Sequence, residues 1–198
     1  MLRLDCHMWT FTLDSHCISS IDEGSGDAAL VRRLTDAHAA GKARVAVVAL
    51  SAADRRQMGS YLDNFDSFRD RLAMLSLAHL EILKPMTCFD ISFSGWSIAA
   101  NDAMAGLEKQ IHDILFPQNE FSWQDFADAH DLDPDSLSPH GDWRSRKCAV
   151  QEIWTHIHNK HDVFVTANDE FHKPAKKAAL FALGAGQIER PAQAVLLL

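Results

Sequence analysis

Residues 150–171, VQEIWTHIHNKHDVFVTANDEF, decide the fold. Val150, Ile153, Trp154 and Ile157 recur at helical spacing, and the polar residues 159–162 lead straight into VFVT, a short run with three β-branched residues. A helix feeding a fully apolar strand is the wiring of a parallel sheet, whose strands need a crossover and are buried on both faces. Outward from this stretch, residues 45–50 (VAVVAL) read as a second buried strand and residues 2–4 (LRL) as a first. A helix is expected over 27–40, with Ala28, Leu30, Val31 and Leu34 on one stripe and Gly41 as its stop. A second is expected over 65–83 through Phe68, Leu72, Leu75 and Leu80, ended by Lys84-Pro85, and a third over 107–116. After Pro174 a basic-then-apolar helix runs to Leu183-Gly184, followed by a short strand at 187–188 and a closing helix from Pro191. Alternating strands and helices predict an α/β fold around a mainly parallel sheet.

At 198 residues the chain suits a single domain, with residues 117–147, rich in Asp, Ser, Pro, Gln and His, as a polar insertion. That insertion carries a short amphipathic piece at 123–129 and turn signals at Asp133-Pro134 and 139–141. Hydrophobic residues at 47% and charged residues at 23% exclude a disordered or fibrous chain. Nineteen Lys and Arg against 27 Asp and Glu, a formal charge of −8, exclude a protein-wide basic footprint, so any nucleic-acid contact must be local. The four cysteines lack CxxC spacing, no basic segment followed by a long apolar stretch opens the chain, and no apolar run is long enough to span a bilayer. A reduced, cytoplasmic setting without a membrane partner is the expectation.

In parallel sheets function gathers at the carboxyl ends of the strands, which directs attention to Asp5, to residues 51–54 and to residues 166–169. Carboxylates gathered from several strand ends repel one another unless a divalent cation neutralises them, and Mg²⁺ suits hard oxygen donors and activation of water. Any single Asp in such a place more often ends a strand or caps a helix. His156, His158 and His161 near Cys148 invite a zinc reading, but on a helix His156 and His158 point about 200° apart. Trp96, Trp123, Trp143 and Trp154 are core anchors in the ordinary reading and base-stacking surfaces in the alternative one. No GxSxG elbow, P-loop or dinucleotide-binding glycine pattern is present.

The block DVFVTANDEF at 162–171, followed by Leu183-Gly184 and IERP at 188–191, resembles the C-terminal half of the PIN-domain nucleases. In that family a strand reading FVT is followed by a metal-binding Asp and then Phe, a place held here by Asp169. An N-terminal strand ending in Asp is the other half of the pattern, and Leu4-Asp5 fits it. The likeness implies a three-layer fold with a central mainly parallel sheet, and a ribonuclease that uses Mg²⁺ or Mn²⁺ to hydrolyse RNA phosphodiesters. The toxin of a toxin–antitoxin pair is one such setting, with a neutralising antitoxin protein and homo-oligomers. Asp5 and Asp169 would ligate the ion, with Asp54, in LSAADRR, as the second acid in preference to Asp63 or Asp66.

The family's third acid would stand seventeen residues before Thr166, where this chain has Ala149. Three explanations are open: a deliberate change from aspartate, replacement of the missing oxygen donor by Glu152 one helical turn on, or natural loss. The catalytic set is therefore Asp5, Asp54, position 149 and Asp169, incomplete as it stands, with Glu152 as a further metal donor. Thr166 and Asn168 would orient a ligand or a phosphate oxygen, and Arg55, Arg144 and Arg146 would meet phosphates. The alternative is a catalytically silent PIN-like module that binds RNA or a protein as a scaffold.

Overall fold

The three consecutive apolar residues Val163–Val165 form a strand buried on both faces. The computed structural model describes residues 7–50, 62, 64–136 and 140–198. Among these, the strands are β1 (Thr10–Leu13), β2 (Arg44–Val48), β3 (Glu81–Leu83), β4 (Val163–Val165) and β5 (Gln187–Glu189). They make one sheet in the order β3-β2-β1-β4-β5, with every neighbouring pair parallel. The helices are α1 (Ser15–Glu23), α2 (Ala28–Ala39), α3 (Phe65–Met74), α4 (Asp102–Leu115), α5 (Trp123–Ala129), α6 (Gly141–His158), α7 (Asp169–His172), α8 (Pro174–Ala182) and α9 (Pro191–Ala194), closed by a 3-10 turn at Val195–Leu197.

Because side chains alternate along a strand, each strand supplies both faces of the sheet. Phe11, Leu13, Val45, Val47, Val163 and Val165 pack with Ile18, Val31, Leu34, Phe68 and Leu72 of α1, α2 and α3. Phe164 and Ile188 face the other way, against Ile111 of α4, Val150, Ile153 and Trp154 of α6 and Leu180 of α8. The result is the expected three-layer α/β arrangement. A third cluster, with Val48, Leu50, Ile91, Trp123, Phe126 and Trp143, sits beyond the carboxyl end of β2. None of the described helices is long and apolar enough to cross a membrane.

The expected strand at 2–4 lies outside the described residues, and β1 at Thr10–Leu13 occupies the centre of the sheet. Its two threonines hide it in a hydropathy reading, yet Thr is β-branched and suits a strand. Thr12 is fully buried because two imidazoles satisfy its hydroxyl: His161 Nδ1 lies 2.9 Å and His156 Nδ1 3.0 Å from Thr12 Oγ1. His156 Nε2 in turn donates to the Ala185 carbonyl at 2.8 Å. Through Thr12 these histidines bind the sheet to α6.

The single helix expected over 65–83 is instead α3 followed by the edge strand β3. Ser76 takes φ 59, and the Leu77 amide closes back on the Leu72 carbonyl at 2.7 Å, a helix stop that normally advertises itself with glycine. The polar insertion expected to run to 147 also ends earlier. The helix whose apolar repeat first shows at Val150 starts at Gly141, so Trp143, Arg144 and Lys147 lie within α6.

One turn makes a sharp demand on sequence. Gly186, at φ +59, leads into β5, and a Cβ there would lie 2.4 Å from the Asp162 carbonyl oxygen. Gly186→Ala is expected to lower stability by about 2 kcal/mol or more, read as a lower urea midpoint at unchanged slope.

Candidate active site at the switch point of the sheet

The chain leaves β1 for β2 and β3 on one side and returns through α4, α5 and α6 to β4 on the other. The carboxyl ends of β1 and β4 are thus the point where the winding reverses, the place where open α/β sheets hold their ligands. Asp14 follows β1 directly. Its amide donates to the Val165 carbonyl at 3.1 Å, tying the two strand ends together. Its carboxylate caps α1, Oδ1 accepting from the Cys17 amide at 2.9 Å.

Glu152 reaches the same turn from α6. Its Oε1 accepts from the Ser15 amide at 2.8 Å, so two carboxylates grip successive parts of one helix start. Asp14 is 1% and Glu152 3% exposed. Burial and then the Asp14 charge push the Glu152 carboxyl up to about 8. Asp14 Oδ2 is buried and pairs with His16 Nδ1, 3.5 Å away. The hydrogen bond to Asp14 raises His16 to about 9, against the opposing effect of its own burial. Cys17, beside them, is held well above the usual thiol range, chiefly by burial.

At the end of β4, Thr166 is buried and its Oγ1 accepts from the Asn168 amide at 3.1 Å, while Asn168 Oδ1 caps α7 through the Glu170 amide at 3.0 Å. Both side chains are thus occupied in shaping the loop that presents Asp169. Asp169 itself, 86% exposed at its side chain, pairs with Arg190, whose Nη1 also holds the Ala167 carbonyl at 2.9 Å. Ala149 is buried in the apolar cluster with Ile111, Trp154 and Phe164. Arg144 is a buried partner of Asp90, and Arg146 places its guanidinium 5.2 Å from the centre of the Phe126 ring. Asp5, Asp54 and Arg55 lie outside the described residues, as does Asp63, and Asp66 sits on the first turn of α3.

The structure therefore brings Glu152 against Asp14, while Asp169 faces solvent and Arg190. Among the described residues, no three His, Cys, Asp or Glu side chains converge as a ready metal cage. Asp14 and His16 escaped the sequence reading, although Thr10-Phe11-Thr12-Leu13-Asp14 carries the same strand-then-aspartate signal that was read at Leu4-Asp5. Comparison with known protein families, curated proteins and solved structures finds no match.

The donor set nonetheless suits one kind of ion. Two hard carboxylates are what Mg²⁺ uses when it keeps several waters and takes one or two protein ligands. Cys17 and His156, whose donors would favour zinc, are buried as neutral groups, and His16 is paired with Asp14.

Proposed function

We propose that this chain is a PIN-like, divalent-metal-dependent ribonuclease with its reactive centre at Asp14 and Glu152. The observation that carries the reading is the pair itself: two buried carboxylates from β1 and α6 share one helix turn at the switch point, with Asp14 Oδ2 facing only His16 at 3.5 Å. Two carboxylates so placed repel whenever both are ionised, and a site that bears this cost is a functional candidate. Glu152 in this reading is the acid that the resemblance sought at 149, displaced by one helical turn.

Asp14 and Glu152 would hold Mg²⁺ or Mn²⁺, which when bound supplies a water of lowered pKa and charge neutralisation on phosphate. His16, cationic near neutral pH, would attract the scissile phosphate to the same rim. Capping of α1 by Asp14 and the Ser15 contact of Glu152 keep both carboxylates oriented before substrate arrives. Asp169, released from Arg190, is the further acid beyond β4 that the reading would recruit. An antitoxin-type protein partner and homo-oligomers belong to the same proposal.

The test compares the full chain with Asp14→Asn on single-stranded RNA with Mg²⁺ or Mn²⁺. Cleavage by the parent and a loss of about a hundredfold in the variant are expected. Mn²⁺ should also raise the parent's melting temperature and leave the variant's unchanged. Parent protein that neither cleaves nor responds to Mn²⁺ would defeat the nuclease reading, and RNA binding without cleavage would assign the silent scaffold.

A further inference from the structure

We propose that a second site, between the 87–92 turn and the starts of α5 and α6, holds an unpaired base of a single-stranded RNA. The proposal rests on the ribonuclease reading for its choice of ligand, and it concerns residues that reading does not use. The cavity measures about 240 Å³ and is lined by Cys88, Phe89, Phe121, Trp123, Trp143 and Lys147 among others.

Its position follows from the sheet register. Leu13 pairs with Val47, so Val48 is level with Asp14 on the neighbouring strand. Val48 and Leu50 pack with Trp123 and Trp143, which places the aromatic cavity over the same carboxyl edge as the acid pair. Lys147 and Glu152 also share α6, five residues and therefore about 7.5 Å apart along its axis.

The chemistry of the lining favours a flat ring. Phe89 is 65% exposed, a large apolar side chain displayed on a turn that is firmly pinned. Ser92 Oγ donates to the Cys88 carbonyl at 3.0 Å and accepts from the Cys88 amide at 2.9 Å, and the Ser92 amide returns to the same carbonyl. Asp90 holds φ 57 and pairs with buried Arg144 of α6. Phe89 is thus a preorganised platform whose ordering cost is already met by the fold.

Opposite it, Trp123 and Trp143 meet edge to face with centroids 5.9 Å apart, and Lys147 Nζ lies 4.2 Å from the Phe121 ring centre. The Lys147 charge is balanced by buried Glu108 at 2.6 Å, and Gln151 holds Glu108 in turn at 2.6 Å. The cavity therefore offers the exposed Phe89 ring, an aromatic wall and a lysine whose charge is already neutralised. That combination suits a nucleobase with acceptor atoms better than a phosphate, which needs uncompensated charge.

The experiment uses the full chain in metal-free buffer at one salt concentration, with a fluorescent 2′-O-methyl single-stranded oligonucleotide that cannot be cleaved. Phe89→Ala is expected to weaken binding about tenfold, the effect of removing one stacking partner. Scanning a single abasic residue along the oligonucleotide should find one position that costs the parent about tenfold and costs Phe89→Ala nothing further. Equal affinity of the two proteins, an abasic penalty that persists in the variant, or no binding by the parent overturns the site. Since no readout depends on hydrolysis, failure of the nuclease reading at Asp14 is seen separately.

Discussion

Glu152→Gln should abolish RNA cleavage, by at least about a hundredfold, while making the protein more resistant to heat above pH 8. The two effects have one origin. In the folded chain Glu152 holds its proton to about 8, whereas the unfolded chain releases it near the ordinary value of 4.5. Between those values the native state binds more protons, so stability falls as pH rises from about 4.5 to 8. His16 acts in the same direction. Its folded value of about 9 lies above the ordinary 6.5, so its contribution is complete below 6.5 and is lost as pH passes through 9. Glutamine keeps the shape, can still accept from the Ser15 amide and never ionises. Melting curves from pH 5 to 9 should therefore be flatter for the variant, and the two proteins should diverge most at the alkaline end. Parallel curves would contradict the buried acid pair, whatever the cleavage assay reports.

A different residue opposes this trend on the acid side. His156 is fully buried, and desolvation drives it down to about 4 from an ordinary 6.5. Here the unfolded chain takes up the proton first, so stability is lost as pH falls from 6.5 towards 4, by about 3 kcal/mol at the lower end. Burial lowers His112 and His161 as well, and their contributions add with the same sign. Urea denaturation at pH 7 and pH 4.5 measures the difference. His156→Phe, which cannot be protonated, should be weaker than the parent at pH 7, because it leaves Thr12 and the Ala185 carbonyl each without one partner. Its own loss on acidification should be smaller. Because Glu152 and His16 stabilise the fold over the same interval as pH falls, the comparison between the two proteins decides, and a change on acidification equal in His156→Phe and the parent would refute the assignment.

Legibility in the sequence followed the kind of force at work. The strand at Val163–Val165 and the helix before it stood out because burial on both faces leaves an unbroken apolar run. The central strand did not, since Thr10 and Thr12 are polar letters whose burial depends on Asp162, His156 and His161, more than a hundred residues away. The start of α6 was obscured in the same manner. Arg144, placed by the resemblance against phosphate, and Lys147 are charged letters that break the apolar repeat, and only the fold supplies Asp90 and Glu108 as their buried partners. At the candidate site, Glu152 stood in the sequence as a candidate oxygen donor on this helix, and the fold sets it beside Asp14. Asp14 did not stand out because no local pattern distinguishes one strand-ending aspartate from another nine residues earlier.

The hydroxyl between the two imidazoles has one hydrogen to give, and this imposes a polarity on the whole chain of contacts. The Ala185 carbonyl can only accept, so His156 carries its hydrogen on Nε2 and offers a bare Nδ1 to Thr12. Thr12 must then point its hydrogen at His156 and receive one from His161 Nδ1. Serine at position 12 would preserve this relay while valine, though of similar shape, would break it at its midpoint. A residue that looks like an interruption in the strand is thus the arbiter of two tautomers.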